Sequence, residues 1–250
     1  MIELKKHSSV FGLFAKSSLT KVLILIAAMA VAEFVFFTSE LKQATVEYGI
    51  SESFPNIENF ISRSFIPIIC GIAFVLVSTA LCLPGTSFSS KTGYTLDRLS
   101  VSPRAVFFCQ AVYNLFIYLI FWASQLAICF GICLYYAKNA PEGSIGNQSI
   151  FLAFYRNEFL HALLPLSEVM VWIRNGFLLM ALTIATAEYP YKQRHKKLGI
   201  SAIAMVIFTA VFFKTEIANS FNTVLIIVVS IINVIEMCYN FFSEDNSYEG

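Results

Sequence analysis

The chain alternates long apolar runs with short polar connections, and the lengths of the runs are those of membrane spans. A bilayer core requires about 20 mostly apolar residues per helix. Six runs reach or approach this length, at residues 20–38, 64–84, 105–137, 165–187, 198–214 and 223–242. Because backbone polar groups in hydrocarbon must be satisfied within each segment, all six should be helices. The pattern predicts an all-α integral membrane protein with six transmembrane helices.

The segment before the first run has a different pattern. Residues 1–19 mix lysines with Ile, Leu, Val and Phe, which predicts an amphipathic helix lying in the membrane interface. Residues 20–242 then form one transmembrane domain, and residues 243–250 form a cytoplasmic tail. The third run is preceded by Ser102 and Pro103, a favourable helix cap and first helical residue.

Composition agrees with this reading. The chain has 57% hydrophobic residues, 13% charged residues, 25 phenylalanines and a mean hydropathy of +0.70. These values lie outside the usual range for a soluble domain. The net charge of +1 gives no indication of a nucleic-acid partner, and none is expected.

The distribution of Lys and Arg predicts the orientation, since cytoplasmic loops carry the excess. With the N-terminus inside, eleven fall on the cytoplasmic side: Lys5, Lys6, Lys16, Lys21, Lys91, Arg98, Arg104, Lys192, Arg194, Lys196 and Lys197. Five fall outside: Lys42, Arg63, Lys138, Arg156 and Lys214. We therefore expect a multi-pass protein of the cell membrane with both termini in the cytoplasm.

Charged residues within the apolar runs are candidate functional residues, because a charge at bilayer depth costs about 2.5–3.5 kcal/mol on insertion scales. Arg174 should lie roughly 13 Å below the outer end of the fourth run. Glu33 matches it in depth, whereas Glu168 is about 120° away around the same helix. Glu236 lies lower in the sixth run. Such residues either form a polar site on a substrate path or fix helix packing as an ion pair.

Motifs for enzymes, metals or cofactors are not convincing. The stretch "GTSFSSKTG", residues 85–93, approaches a phosphate-binding loop, but Ser90 replaces the glycine before Lys91 and the stretch follows an apolar run. The six cysteines contain no C-x-x-C pair, and the three histidines are scattered. We expect no catalytic residue, metal or cofactor in this chain.

The connection between the second and third runs contains the stretch "GYTLDRLSVSPRAVFF". Thr95 can cap a short helix in which Leu96 and Leu99 share one face, with Asp97 and Arg98 beside them. So short a helix cannot bury its own apolar face. It suits either the membrane surface or a groove in a soluble partner.

At these residues the chain resembles the permease subunits of type-2 ATP-binding-cassette exporters, whose first cytoplasmic loop has a Gly-Thr-x-x-Leu segment followed by Ser-Pro and a basic residue. Tyr94 is one residue more than that pattern has. The resemblance implies a coupling helix that sits on a separate ATPase subunit, formed by Tyr94, Thr95, Leu96, Asp97, Arg98 and Leu99. A second cytoplasmic loop, "YPYKQRHKKLG", supplies Lys192, Gln193, Arg194 and His195. ATP and Mg would be bound by the ATPase, and this chain would form a homodimer or a heterodimer with a similar permease.

Two other classes of protein fit the composition. A multi-pass scaffold or accessory protein would carry basic loops merely as determinants of topology. A membrane enzyme is a third class, against which the lack of a motif argues. Co-purification of an ATPase would distinguish the exporter from the scaffold. The cargo stays open, since peptides, lipid-linked molecules and drug-like molecules all suit a bundle rich in phenylalanine.

Overall fold

The computed structural model describes residues 2–48, 55–84, 86, 102–140, 148–166, 168–194, 199–213 and 220–246, with side chains for all of these except 2–7, 48, 194, 220 and 240–246. These residues form helices and short connections, with no strand among them. The helices are α1 (Ile2–Tyr48), α2 (Ile57–Arg63), α3 (Ile66–Cys82), α4 (Pro103–Asn139), α5 (Ser149–Arg156), α6 (Glu158–Leu163), α7 (Val169–Arg194), α8 (Ile200–Phe212) and α9 (Ser220–Asn246). The all-α prediction is confirmed for the described residues.

Four or five of the six predicted spans have helices long enough to cross a bilayer. Within the described part of the chain, α1, α4, α7 and α9 are long and apolar enough to cross a bilayer, and α2 with α3 adds a fifth if the bent pair is one span. Helix α8 has 13 residues, about 20 Å of helix, and does not reach the roughly 30 Å of a hydrocarbon core. These are the helices of a membrane-embedded protein. Six spans with cytoplasmic termini stay a prediction.

Helix α1 differs from the expected division at residue 19. It runs without interruption from Ile2 to Tyr48, a stretch that contains no proline. Val10 and Phe14, which belong to the apolar side of the predicted interfacial helix, are buried in the protein. Phe14 stacks on Tyr113 of α4 with ring centroids 6.3 Å apart. The apolar face of the N-terminal segment therefore packs on a neighbouring helix, a use that its amphipathic pattern alone does not reveal.

The break between α2 and α3 lies where the sequence has Pro67. Proline lacks the N–H that would continue the hydrogen-bond ladder of α2. The two helices meet at an angle of 49°, and Phe65 between them has a φ of 56°. The hydroxyl of Ser64 donates to the carbonyl of Phe60 at 2.7 Å and closes the end of α2.

Helix α4 begins as predicted. The Ser102 hydroxyl accepts a hydrogen bond from the Ala105 backbone N–H at 3.3 Å, and Pro103 is the first helical residue. The helix has 37 residues and is therefore about 55 Å long. It packs against α1 on one side and α7 on another, while α3 contacts α1, α4, α7 and α8. Helix α9 packs on α7.

Helix α7 extends past its predicted end at residue 187. It continues through Pro190 to Arg194, so Lys192 and Gln193 lie on its last turns rather than in a loop. The ammonium group of Lys192 lies 2.8 Å from the carboxylate of Glu188, one turn earlier. This ion pair spans the proline and supports the helix where the sequence predicted its end.

The predicted orientation can be tested by labelling single cysteines in a variant that lacks the six native ones. Glu47 lies near the C-terminal end of α1 and Arg104 near the N-terminal end of α4, and both side chains are exposed. We expect a membrane-impermeant maleimide added to intact cells to label Glu47→Cys and not Arg104→Cys. Permeabilised cells, in which both should react, are the control. Labelling of Arg104→Cys in intact cells would overturn the topology.

Candidate functional site

Helix α4 carries buried polar side chains along one face. Gln110, Asn114 and Tyr118 follow one another at intervals of four, and Gln125 lies two turns further along. All four are buried. Residues spaced in this way share a helix face, so α4 presents a polar stripe to the helices around it.

The first half of this stripe joins α4 to two other helices, and the neighbouring Tyr113 joins it to a third. Asn114 Nδ2 donates to Thr186 Oγ1 of α7 at 3.0 Å, and Tyr118 donates to Ser78 Oγ of α3 at 3.1 Å. One residue before Asn114, the hydroxyl of Tyr113 lies 2.7 Å from that of Ser18 in α1. Hydrogen bonds between membrane helices of this kind contribute on average about 0.6 kcal/mol each. We assign this end of the stripe to helix packing.

The second half borders a cavity of about 580 Å³. The cavity lies among α3, α4, α7 and α8, and Phe159 and Leu163 of α6 also line it. Most of its wall is aliphatic or aromatic. Among the lining residues, Gln125 of α4 and Asn175 of α7 carry carboxamide groups.

Behind Gln125 lies the carboxylate of Glu33. Gln125 Nε2 donates to both Glu33 oxygens, each at 3.0 Å. Glu33 is on α1, is fully buried and does not line the cavity. Gln125 therefore separates this acidic group from the cavity while satisfying its oxygens.

Behind Asn175 lies the guanidinium of Arg174, another fully buried group that is not part of the cavity wall. Asn175 Oδ1 accepts from Arg174 Nε at 3.1 Å and from Nη2 at 2.9 Å. The Asn175 amide nitrogen donates to the Ala162 carbonyl at 2.8 Å. The Phe213 carbonyl is 3.5 Å from Nη2, and Glu168 attracts the guanidinium electrostatically.

The two amides have the same role on two walls of the cavity. Each lies between the cavity and a buried charge, and the two charges have opposite signs. A molecule in the cavity thus meets neutral hydrogen-bonding groups rather than the charges themselves. We call this arrangement of Glu33, Gln125, Arg174 and Asn175 the double amide screen.

The expected partnership of Glu33 and Arg174 is wrong. Glu33 is bonded to Gln125, and Arg174 is bonded to Asn175 on a different wall. Glu168 comes before the first residue of α7, so the 120° angle expected between Glu168 and Arg174 around that helix does not apply. Its carboxylate lies 3.8 Å from His161 Nε2 and attracts the Arg174 guanidinium. Glu236 has an exposed side chain on α9.

The predicted coupling residues are only partly described. Tyr94, Thr95, Leu96, Asp97, Arg98, Leu99 and His195 lie outside the described residues. Lys192 and Gln193 lie on α7, with Lys192 paired to Glu188. Arg194 is the last residue of that helix.

Sequence reasoning missed Gln125, Asn175 and Glu188. Glu188 is buried and also accepts a hydrogen bond from Ser201 of α8 at 3.1 Å. The signals were present: Gln125 shares one face of its apolar run with Gln110 and Asn114. Asn175 is adjacent to Arg174, and Glu188 precedes Lys192 by one helical turn. Comparison with protein-family models, curated proteins and solved structures found no match.

Proposed function

We propose that this chain is the permease subunit of an ATP-binding-cassette exporter in the cell membrane. A separate ATPase subunit hydrolyses ATP, and the chain pairs with a second permease to move its cargo outward. The proposal starts from the loop residues that resemble the family's coupling helix. The arrangement of α4 adds a physical route from that loop to the cavity.

The observation that carries the proposal is the continuity of α4. Its first residue, Pro103, follows the proposed coupling segment 94–99 after three residues, and Gln125 on the same helix lines the cavity. No break divides the helix between these points. We infer that a partner ATPase that displaces the coupling segment also displaces the start of α4, and that this helix carries the displacement to the cavity wall.

The cavity supports transport over a purely structural role. Helix packing in membranes favours close approach through small residues and bridging hydrogen bonds. The helices that surround the cavity of about 580 Å³ do not approach one another closely there, and the cavity has the size of a small-molecule site. A scaffold needs no such cavity, whereas a transporter needs a site for its cargo.

The test is whether the coupling segment holds the ATPase. Leu99→Asp places an unpaired charge in an apolar contact and should weaken docking by about 1–3 kcal/mol. Arg98→Glu should weaken it by reversing a charge at the rim. We expect the ATPase that co-purifies from native membranes in mild detergent to be lost from both variants, together with stimulation of its ATP hydrolysis.

Lys91→Ala is the control, because a charge at a solvated margin contributes little. Each variant must first insert into the membrane at the native level. Normal ATPase retention and hydrolysis in both test variants would reject the coupling helix. Consistent absence of an ATPase from the native preparation would favour the scaffold instead.

A further inference from the structure

The cavity is open on the side that faces lipid. Ile72 of α3 and Val211 of α8 both line it, and their side chains are 58% and 62% exposed. In a membrane-embedded bundle, exposed apolar side chains of this kind meet hydrocarbon. A molecule dissolved in the bilayer can therefore enter between α3 and α8 without crossing water.

The walls favour a ligand with an apolar body. Phe74, Phe121 and Leu182 are among the residues that enclose the space. The cavity volume is in the range of small-ligand pockets, roughly 300–1,000 Å³, so it suits a single-chain molecule rather than a whole phospholipid with two chains.

One polar atom of a cavity-lining side chain requires a hydrogen-bond donor. Gln125 uses Nε2 to bind Glu33, and its Oε1 accepts no hydrogen bond from the described residues although it is buried. Such an unsatisfied acceptor costs about 1–3 kcal/mol. Because Nε2 is directed at Glu33, which lies outside the cavity wall, Oε1 is the atom of this amide that a ligand can satisfy. It has almost no accessible surface, so a ligand reaches it only when the side chains that cover it move aside.

The double amide screen favours a neutral donor. Neither buried charge lines the cavity, so a charged headgroup would lose its hydration without gaining a direct ion pair. A hydroxyl or an amide N–H can donate to Gln125 Oε1 without that loss.

We propose that the cavity binds a neutral single-chain amphiphile whose headgroup carries a hydrogen-bond donor, such as a long-chain alcohol. It enters from the bilayer between α3 and α8 and donates to Gln125 Oε1. Binding does not depend on the exporter function. Only the further statement that this amphiphile is the cargo rests on the proposed function.

The test uses the purified chain in lipid nanodiscs and a dodecanol analogue that bears a photoreactive diazirine on its alkyl chain. Cross-linked peptides are identified by mass spectrometry, with and without excess dodecanol. We expect competable labelling on α3 and α8. Dodecane and dodecyltrimethylammonium should compete at least about tenfold more weakly, the factor expected for one hydrogen bond.

A cavity-filling variant provides the structural control. Gly71 lines the cavity, and a Cβ atom placed there meets no atom within 4 Å, so the backbone accommodates Gly71→Leu, which we expect to reduce the cavity volume. Gly131 on α4 has equally open surroundings and does not line the cavity. We expect Gly71→Leu to abolish competable labelling and Gly131→Leu to preserve it.

Each alternative result overturns a stated part of the proposal. If dodecane competes as well as dodecanol, the hydrogen bond to Gln125 does not contribute to binding. If the ammonium compound competes as well as dodecanol, the site has no preference for a neutral headgroup. Labelling that dodecanol does not reduce, or that survives Gly71→Leu, would reject the site. Because no ATPase is present, these outcomes are independent of the coupling-helix experiment.

Discussion

Asn175→Leu is expected to destabilise the protein by about 3 kcal/mol, the largest effect of any single change considered. The substitution removes the acceptor that binds Arg174 through both Nε and Nη2. A hydrogen bond to a charged group contributes about 1.5–3 kcal/mol, and the Phe213 carbonyl and Glu168 remain near the guanidinium after the substitution. The Ala162 carbonyl also loses the hydrogen bond that the Asn175 amide nitrogen donates to it. Unfolding of the purified protein by SDS titration measures the change.

The matched control is Asn139→Leu, which makes the same chemical change at an exposed position near the end of α4. It should cost less than about 0.5 kcal/mol, as is usual for surface substitutions. The double variant Arg174→Leu/Asn175→Leu should be more stable than Asn175→Leu, because it removes the buried charge together with its acceptor. A double variant less stable than both single variants would show that Asn175 does not serve Arg174.

Gln125→Leu is expected to cost about 2 kcal/mol, because it leaves the Glu33 carboxylate without the amide that donates to both its oxygens. Glu33→Gln should have a much smaller effect, since an amide oxygen at the same place still accepts from Gln125 Nε2. Adding Glu33→Gln to Gln125→Leu should restore part of the lost stability by removing the buried charge. The same SDS titration measures all three variants.

A further comparison tests whether the Glu33–Gln125 pair is independent of the Arg174–Asn175 pair. Glu33→Gln and Arg174→Leu touch different partners, so their effects on the free energy of unfolding should add within about 0.5 kcal/mol. Effects that depart strongly from additivity would instead support the ion pair between Glu33 and Arg174 that the sequence predicted. A Glu33→Gln variant as unstable as Gln125→Leu would contradict the role given to the amide donor.

Local signals predicted the parts of this fold that depend on neighbours in sequence. Ser102 and Pro103 define the start of α4 because capping and a fixed φ act within one turn. The burial of Arg174 could be predicted because a charged side chain within an apolar run avoids lipid and faces the protein interior. The apolar pattern did not predict the end of α7, because the helix continues beyond the apolar run through Pro190 to Arg194.

Tertiary arrangement explains the remaining differences. Matching Glu33 and Arg174 by depth ignored rotation about each helix axis, and rotation turns Glu33 toward α4. The cavity could not be predicted either, because it is a space left among four helices that are distant in sequence. The length of α8 also escaped prediction, since an apolar run does not specify where its helix begins and ends.

The 47 uninterrupted residues of α1 make this helix a lever about 70 Å long. A tilt of about 5° around its midpoint displaces each end by roughly 3 Å, which is the length of a hydrogen bond. The N-terminal arm carries Phe14 and Ser18 against Tyr113 of α4. Since long helices accommodate a thinner bilayer by tilting, we expect α1 to couple the thickness of the surrounding membrane to the position of α4, which lines the cavity.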